Sequence, residues 1–221
     1  PRSTPLYSSA ASDVYKRQNQ STGVDTGKTK VNLFKDIDVN VDQTFQIMDG
    51  FGFALNGGSA LNLYNMNSTI RESLLEELFG QTKQSIRVSY LRISVGASDL
   101  DEFPFSYNDL QSGEVDLEMK KFSLKHDERY LIPILKEILA ISPNIKIMAS
   151  PWSAPTWMKS NKKTKGGSLL PEFYDAYSKY FVKYIRSMAE KNILIDAVTV
   201  QNLSLIHISE PTRRTPIAYA V

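Results

Sequence analysis

Two tryptophans in one short segment are the residues with the clearest chemical potential. Trp152 and Trp157 are the only tryptophans of the chain, and both lie in the run SPWSAPTW at 150–157. An indole face suits the C–H surface of a sugar ring, and the indole N–H can donate to a hydroxyl. The alternative is that one or both rings cap a hydrophobic core. We interpret Trp152 as a substrate contact and Trp157 as a packing residue.

Two charged residues are associated with the predicted strand IRVSYLRISV at 86–95. Asp99 follows this strand, where a carboxylate is costly unless it is paired or hydrated, and it could accept hydrogen bonds from sugar hydroxyls. Its structural alternative is to cap the following loop, a role that Asp101 or Asp109 could also fill. Arg92 lies inside the strand, so its charge is matched either in a buried ion pair or by a ligand. Asp99 and Arg92 are therefore candidate substrate-binding residues.

A third candidate, Asn202, follows the predicted strand IDAVTVQ at 195–201. Its amide could bind the 2-hydroxyl of a sugar, an interaction that strengthens in an oxocarbenium-like transition state, or it could cap a helix. The run KSNKKTK at 159–165 is expected to be a solvated loop. With no cysteine and only two histidines, the chain offers little for a zinc site or a Cys–His nucleophile. We expect neither a metal nor a cofactor.

These candidates follow elements that alternate between strand and helix. Apolar and β-branched runs predict strands at 48–55, 86–95, 145–149 and 195–201, with peripheral strands at 30–47. Apolar residues at three- and four-residue spacing predict helices over 67–79, over 127–141 and from Pro171 onward. The first helix is expected to start with a capping box of Thr69 and Glu72 and to bury Ile70, and the third to bury Tyr174.

This alternation predicts an α/β fold with a parallel sheet and right-handed crossovers. An open doubly wound sheet and a closed (β/α)₈ barrel begin alike. The dinucleotide-binding glycine pattern is absent, because Leu55 stands where a third glycine would follow Gly50 and Gly52. In a barrel, the loops after all strands meet on one face, so Asp99 and Trp152 are expected to share a rim with the other candidates.

The two ends of the chain carry a different signal. One set of codons for Asp13 to Gln18 has a reverse complement that encodes LSLIHI, the residues at 203–208. Both ends also match the transposase adaptors of sequencing libraries, translated in frame. We therefore expect residues 1–18 and 203–221 to be adaptor-derived artefacts.

Without its ends, the chain has no strong charge bias. The ends hold five basic and two acidic residues, a net charge of +3, so residues 19–202 lie near −1 although the whole chain has a formal charge of +2. This balance argues against nucleic acid as a partner. No apolar run is long enough to predict a transmembrane segment.

Four segments resemble, in order and spacing, the first four strand regions of glycoside hydrolase family 30: QTFQIMDGFGFALNGGSALNL, YLRISVGASDLDEFPFSYND, IMASPWSAPTWMKSN and KNILIDAVTVQN. The likeness covers residues 30–202, and SPW-x-x-PTWMK-x-N is its most specific part. It implies the first half, about four βα units, of a (β/α)₈ TIM barrel over 48–202. Residues 19–47 would be a linker and a strand segment of an attached β-sandwich.

The resemblance also implies an activity. Family members hydrolyse β-glycosidic bonds with retention by means of two glutamates, and the glucosylceramidase branch is the preferred match. A β-1,6-glucanase, a xylanase or a non-catalytic carbohydrate-binding barrel are the alternatives. By position, Asp99, Trp152 and Asn202 resemble the family's sugar-binding residues, and Arg92 resembles its strand-two arginine. A β-linked glycoside or glycan is the implied partner, and secretion or a periplasmic location is the implied destination, while no oligomeric state follows.

The chain departs from the family pattern at the catalytic residues. The acid/base glutamate should directly follow Asn202 in an N-E-P motif, but Leu203 stands there. Glu210 and Pro211 imitate the motif too far along the chain. The nucleophile belongs to a seventh strand, so both catalytic glutamates are expected to be missing and the chain as written is expected to be inactive.

Overall fold

The computed structural model describes residues 40 and 42–202. The chain divides into two units between Gln46 and Ile47. In the described part of the first unit, the N–H of Gln43 donates to the carbonyl oxygen of Asn40 at 3.3 Å and forms a turn. Residues 42–47 form no strand.

The second unit contains one four-stranded parallel sheet. Its strands are β1 (Gly52–Leu55), β2 (Tyr90–Val95), β3 (Lys146–Pro151) and β4 (Ala197–Val198), and they lie in sequence order. All three neighbouring pairs are parallel, as the sequence predicts. The register places Ala54, Arg92, Met148 and Ala197 in one row across the sheet.

Helices connect the strands. The helices α1 (Gly57–Asn65) and α2 (Ser68–Phe79) join β1 to β2, α3 (Leu131–Ile141) joins β2 to β3, and α4 (Tyr174–Glu190) joins β3 to β4. Single 3₁₀ turns cover Asp127–Arg129, Thr156–Met158 and Pro171–Phe173. Pro133 is the third residue of α3, so the N–H that it lacks belongs to the first turn, where no helical acceptor exists.

The helices pack on one face of the sheet. Leu91 and Ile147 are fully buried in a core that includes Tyr180 of α4. Burial of one such leucine or isoleucine contributes about 1.5–3 kcal/mol. On the opposite face Arg92 is half-buried and Ala54 is exposed. Within the described residues the second face is therefore open, and it corresponds to the interior of a barrel.

The start of α2 differs from the prediction. Its N-cap is Asn67, whose Oδ1 accepts from the backbone N–H of Thr69 at 3.0 Å and of Ile70 at 3.4 Å. The predicted capping box of Thr69 and Glu72 is wrong, because Asn67 already satisfies the free N–H groups of the first turn. The predicted burial of Ile70 is wrong, because this side chain is 60% exposed, whereas Leu75 of the same helix is buried.

The helix α1 is missing from the sequence prediction, which treats its first residues as part of a loop. Asn56 caps it, with Oδ1 accepting from the N–H of Ser59 at 3.0 Å. A Cβ atom at Gly57 would lie 1.8 Å from Oδ1 of Asp101, and one at Gly58 would lie 2.0 Å from a backbone carbonyl oxygen of the loop after β2. The glycines are needed for this close approach and do not indicate a flexible loop.

Two further predictions are corrected, the burial of one residue and the start of one strand. Tyr174 is 57% exposed, because the buried face of α4 is formed by Tyr177, Tyr180 and Tyr184. The second strand starts at Tyr90 and not at residue 86, and Arg87 adopts a left-handed φ of 62° that interrupts an extended chain.

Several predictions lie outside the described residues. These are the adaptor-derived ends at 1–18 and 203–221 and the strands expected in 30–39. The attached β-sandwich therefore stays a prediction.

Candidate functional site

Arg92 is the centre of a polar group at the carboxyl ends of the strands. Its Nη2 donates to Oγ of Ser150 at 3.0 Å and also to Oδ1 of Asn202. Its guanidinium carbon lies 4.9 Å from the centroid of the Trp152 ring, a cation–π geometry. The structure thus brings together three of the four predicted residues, from β2, from the end of β3 and from the segment after β4.

This contact fixes the orientation of the Asn202 amide. A guanidinium has only donors, so the atom of Asn202 that faces Arg92 is the acceptor Oδ1. The NH₂ group of the same amide makes no hydrogen bond to the described residues and is available as a donor. The backbone N–H of Asn202 donates to the carbonyl oxygen of Pro151 at 2.7 Å, which fixes the main chain as well.

The two tryptophans occupy opposite environments. Trp157 is 6% exposed, its Nε1 donates to Oδ1 of Asn108 at 2.9 Å, and its ring packs edge-on against Phe173 at 5.1 Å. Trp152 is half-buried, and its indole N–H has no partner among the described residues. The packing role of Trp157 is confirmed. Arg92 covers one face of the half-buried Trp152 ring, and the indole N–H is available to a ligand.

Asp99 is not joined to this group by any contact. It is exposed, and within the described part of the chain it makes no hydrogen bond or ion pair. The loop-capping role belongs instead to Asp101, whose Oδ2 accepts from N–H and Oγ of Ser98, both at 2.7 Å, and to Asp109, which accepts similarly from Ser106. Asp101 and Asp109 therefore fill the loop-capping role that is the alternative for Asp99. The role of Asp99 in sugar binding stays a prediction.

The charge of Arg92 is not matched by an acid within the described residues. Burial lowers the pKa of its guanidinium, and Ser150, Asn202 and Trp152 supply only dipoles and a ring face. Arg92 is expected from the sequence either to form a buried ion pair or to contact a ligand. Among the described residues no ion pair to Arg92 is present. An unneutralised cation at this rim favours a ligand or a carboxylate that carries negative charge.

Sequence reasoning misses the smaller polar residues that support the site. Oγ1 of Thr199 donates to Oγ of Ser150 at 2.6 Å, and Nε2 of Gln201 donates to the carbonyl oxygen of Trp152 at 2.8 Å. The alternation of side chains along a strand could have indicated Ser150. Met148 is the register partner of Arg92, and Ser150 is two residues further along the same strand, so the side chains of Ser150 and Arg92 lie on the same face of the sheet.

The lysine-rich run at 159–165 is only partly the solvated loop that its composition predicts. Lys159 is 6% exposed, and its Nζ donates to Oγ of Ser153 at 2.9 Å and to the carbonyl oxygen of Thr164 at 3.0 Å. Burial lowers the pKa of its ammonium group. The prediction is wrong for this residue, because it folds back beneath its own loop.

The described residues include no metal-binding cluster. No group of three or more His, Asp or Glu side chains among them is arranged to hold an ion. None of the helices in this part of the chain combines the length and apolar character needed to cross a bilayer.

Comparison with known proteins identifies the relatives of this site. The sequence model of the glycosyl hydrolase family 30 TIM-barrel domain matches residues 48–213, including eleven residues of the end attributed above to an adaptor. An endo-1,6-beta-D-glucanase of Neurospora crassa is 31% identical over 89% of this chain and 42% of its own length. Putative glucosylceramidase 4 of Caenorhabditis elegans is 30% identical over 85% of this chain and 36% of its own length.

The fold has matching solved structures. The endo-beta1,6-glucanase BT3312 superposes with a TM-score of 0.67 at 38% identity, over 74% of this chain and 36% of that protein. The chain spans between 34% and 42% of the first curated relatives that it matches. Four parallel strands with their helices, the match of the family model and these relatives show that the chain belongs to glycosyl hydrolase family 30, as part of its TIM-barrel domain.

Proposed function

We propose that the protein is a retaining β-glycosidase whose sugar-binding rim is formed in part by Asp99, Trp152, Asn202 and Arg92. The observation that carries this proposal is the contact group around Arg92, which leaves an oriented amide NH₂ and an indole N–H unused at the carboxyl ends of parallel strands. Sugar hydroxyls accept from such donors, and the accessible part of the half-buried Trp152 ring suits a pyranose ring.

The mechanism follows from the family pattern. A glutamic acid directly after Asn202 in the natural sequence protonates the glycosidic oxygen as the bond to the anomeric carbon breaks. A strand-seven carboxylate attacks that carbon and forms a glycosyl-enzyme. Water, deprotonated by the first glutamate, then releases the sugar with net retention. Carboxyl groups about 5–5.5 Å apart are needed for this direct attack.

Arg92 has a specific consequence for the proton donor. Because Arg92 hydrogen-bonds Asn202, we expect its charge to lie near the acid/base glutamate that the family pattern places directly after Asn202. A cation lowers the pKa of a neighbouring carboxyl, whereas a general acid needs a raised one. The charge of the second carboxylate and burial in the complete barrel therefore have to outweigh Arg92. In the glycosyl-enzyme the nucleophile is an ester and has lost its negative charge. Arg92 then favours the ionised form of the acid/base glutamate, which acts as the base.

The 221-residue chain itself is proposed to be inactive. Leu203 occupies the position of the acid/base glutamate, and a leucine side chain cannot transfer a proton. Loss of a general acid alone typically removes a rate factor of about 10²–10⁴, and loss of the nucleophile adds to it.

The substrate is proposed to be a β-linked glucoside, with glucosylceramide as the first candidate. Relatives named glucosylceramidase align over most of the chain. A second candidate, a β-1,6-glucan, is favoured by the 38% identity to the endo-beta1,6-glucanase BT3312. Secretion or a periplasmic location accords with either substrate but rests on the family alone.

One experiment tests the proposal. The natural gene is sequenced through the codons after Asn202, and the encoded protein is assayed on glucosylceramide, β-1,6-glucan and xylan, with the anomer of the first product followed by NMR. We expect Glu-Pro after Asn202 and a β-configured product. Ala, Gln or Ser at that position, together with sugar binding and no turnover, would instead favour the non-catalytic binder.

A further inference from the structure

Lys159 is a buried ammonium group without an acidic partner among the described residues. It is 6% exposed, and its two hydrogen bonds go to neutral oxygens, Oγ of Ser153 at 2.9 Å and the carbonyl oxygen of Thr164 at 3.0 Å. Lysine is almost never fully buried unless it is paired. Most other lysines of this unit lie on the surface, where four of them pair with carboxylates.

Stability alone does not account for this arrangement. Desolvation lowers the pKa of the Lys159 ammonium, which means that burial disfavours its charged form. An apolar side chain of similar length would fill the same space without that penalty, and replacement of buried charges by apolar residues is often neutral or stabilising. The contacts that the ammonium makes are therefore the relevant feature.

Those contacts tie together distant points of one loop. The tryptophan loop, residues 152–170, connects β3 to the 3₁₀ turn at Pro171–Phe173. The main chain of Lys159 pairs with Leu169 in an antiparallel bridge, while its side chain reaches back to Ser153 and across to Thr164. Ser153 directly follows Trp152, so one side chain fixes the loop beside the candidate sugar-binding ring.

Trp152 is held on its other side by the sheet. Its ring lies under Arg92, and its carbonyl oxygen accepts from Nε2 of Gln201 at 2.8 Å. These groups hold the amino-terminal end of the loop, whereas Lys159 fixes the residue that follows. Loss of the Lys159 contact would leave Oγ of Ser153 with only its hydrogen bond to the carbonyl oxygen of Ala154 at 2.9 Å, and Trp152 would keep only its contacts with Arg92 and Gln201.

We propose that Lys159 is a positioning residue, which holds Trp152 for sugar binding through Ser153. The expected effect of Lys159 on KM rests on the proposed function, but its expected effect on the position of Trp152 does not. Lys162 provides a matched comparison in the same loop: its Nζ donates to the carbonyl oxygen of Trp157 at 2.6 Å and lies over the ring of Phe173. It supports the packing tryptophan and makes no contact with Ser153.

The test uses the full-length protein from the natural gene, labelled with 5-fluorotryptophan, with the Trp152 ¹⁹F signal assigned through Trp152→Phe. Lys159→Met should shift or broaden the Trp152 signal. It should also raise KM for 4-nitrophenyl β-D-glucopyranoside about tenfold and change kcat less than about threefold, because the lost contact is made equally in the ground state and in the transition state. Lys162→Met should leave both the Trp152 signal and KM within about twofold of the wild type.

Two substitutions at Ser153 guard against misfolding of the lysine variant. Ser153→Ala removes the acceptor and should change the Trp152 signal and KM in the same direction, whereas Ser153→Thr keeps a hydroxyl and should restore both. An unchanged Trp152 signal in Lys159→Met and Ser153→Ala, or equal effects of Lys159→Met and Lys162→Met, would overturn the inference. A wild-type protein without turnover would overturn the proposed function, and the fluorine signal would still decide the role of Lys159.

Discussion

At the scale of single residues, the described rim is rich in hydrogen-bond donors and poor in acceptors. Arg92, the amide NH₂ of Asn202 and the indole N–H of Trp152 all donate. Sugar hydroxyls both donate and accept, so a complete site also needs carboxylates. Asp99 is exposed and makes none of its possible hydrogen bonds to the described residues, which suits it to this acceptor role.

The two tryptophans should respond differently to truncation in the full-length protein. Trp152→Ala should weaken binding of methyl β-D-glucopyranoside by about tenfold, roughly 1.4 kcal/mol, with little change in the free energy of unfolding. Trp157→Ala should cost about 3–5 kcal/mol of stability, because it removes a buried ring. Calorimetric titration and urea unfolding separate the two effects, and equal losses of stability would contradict the assignment.

The two neighbouring aspartates form a second matched pair. Asp99→Asn should leave the unfolding midpoint unchanged and weaken glucoside binding, since only an exposed acceptor is altered. Asp101→Asn should lower stability by about 1.5–3 kcal/mol, because its carboxylate accepts two hydrogen bonds from Ser98. Thermal unfolding and binding titrations of both variants check this, and a stability loss confined to Asp99→Asn would refute it.

At the scale of elements, a buried polar contact links the loop after β2 to the turn before α3. Oη of Tyr107 donates to Oδ2 of Asp127 at 2.5 Å, and both side chains are buried. The Tyr107 ring stacks on Tyr184 of α4 at 5.4 Å. Burial raises the pKa of Asp127 to about 7, with a smaller contribution from the charge of Asp101. This carboxyl is therefore held close to its neutral form.

The raised pKa predicts a stability that depends on pH. The folded state keeps the Asp127 proton up to about pH 7, whereas the unfolded state loses it near its ordinary value of 3.8. The contribution of Asp127 to the free energy of unfolding is fully present below about pH 4. It is lost as pH rises to about 7, by up to about 4 kcal/mol. Asp127→Asn should flatten that part of the profile in urea unfolding. Parallel profiles for the two proteins would rule out the effect.

At the scale of the whole molecule, the four-stranded sheet has an unpaired strand at each edge within the described residues. Within the described residues β1 pairs only with β2, and β4 pairs only with β3. Unpaired strand edges offer free N–H and C=O groups to other chains. The face that carries Arg92 likewise lacks a cover in this part of the chain, although family 30 barrels close around it.

The open sheet predicts poor behaviour of the 221-residue chain in isolation. Expressed as written, it should aggregate or remain molten, whereas a chain in which four further strands complete the barrel should be monodisperse, because those strands would pair both edges. Sedimentation velocity and near-UV circular dichroism measure the difference. Cooperative unfolding of the 221-residue chain with measurable glycosidase turnover would show that these strands are not needed.

The sequence alone predicts the order of the elements and two of the residues, Trp152 and Asn202, that the structure places against Arg92. Apolar periodicity gives the four strands, three of the four α-helices and the parallel sheet, because burial of one face of each element is a local pattern. Trp152 comes three residues after the predicted strand at 145–149 and Asn202 comes directly after the one at 195–201, so their meeting at one edge is a consequence of parallel topology. The helix α1 is not predicted, because the need for glycine at its start arises from contact with Asp101.

Only the tertiary structure decides which side chains touch. Oδ1 of Asn202 faces Arg92, and Lys159 folds beneath its loop, although composition predicts a solvated residue. These outcomes depend on register and on loop paths between residues far apart in the chain. Periodicity carries no information about either, since side chains in loops are placed by the partners that they meet.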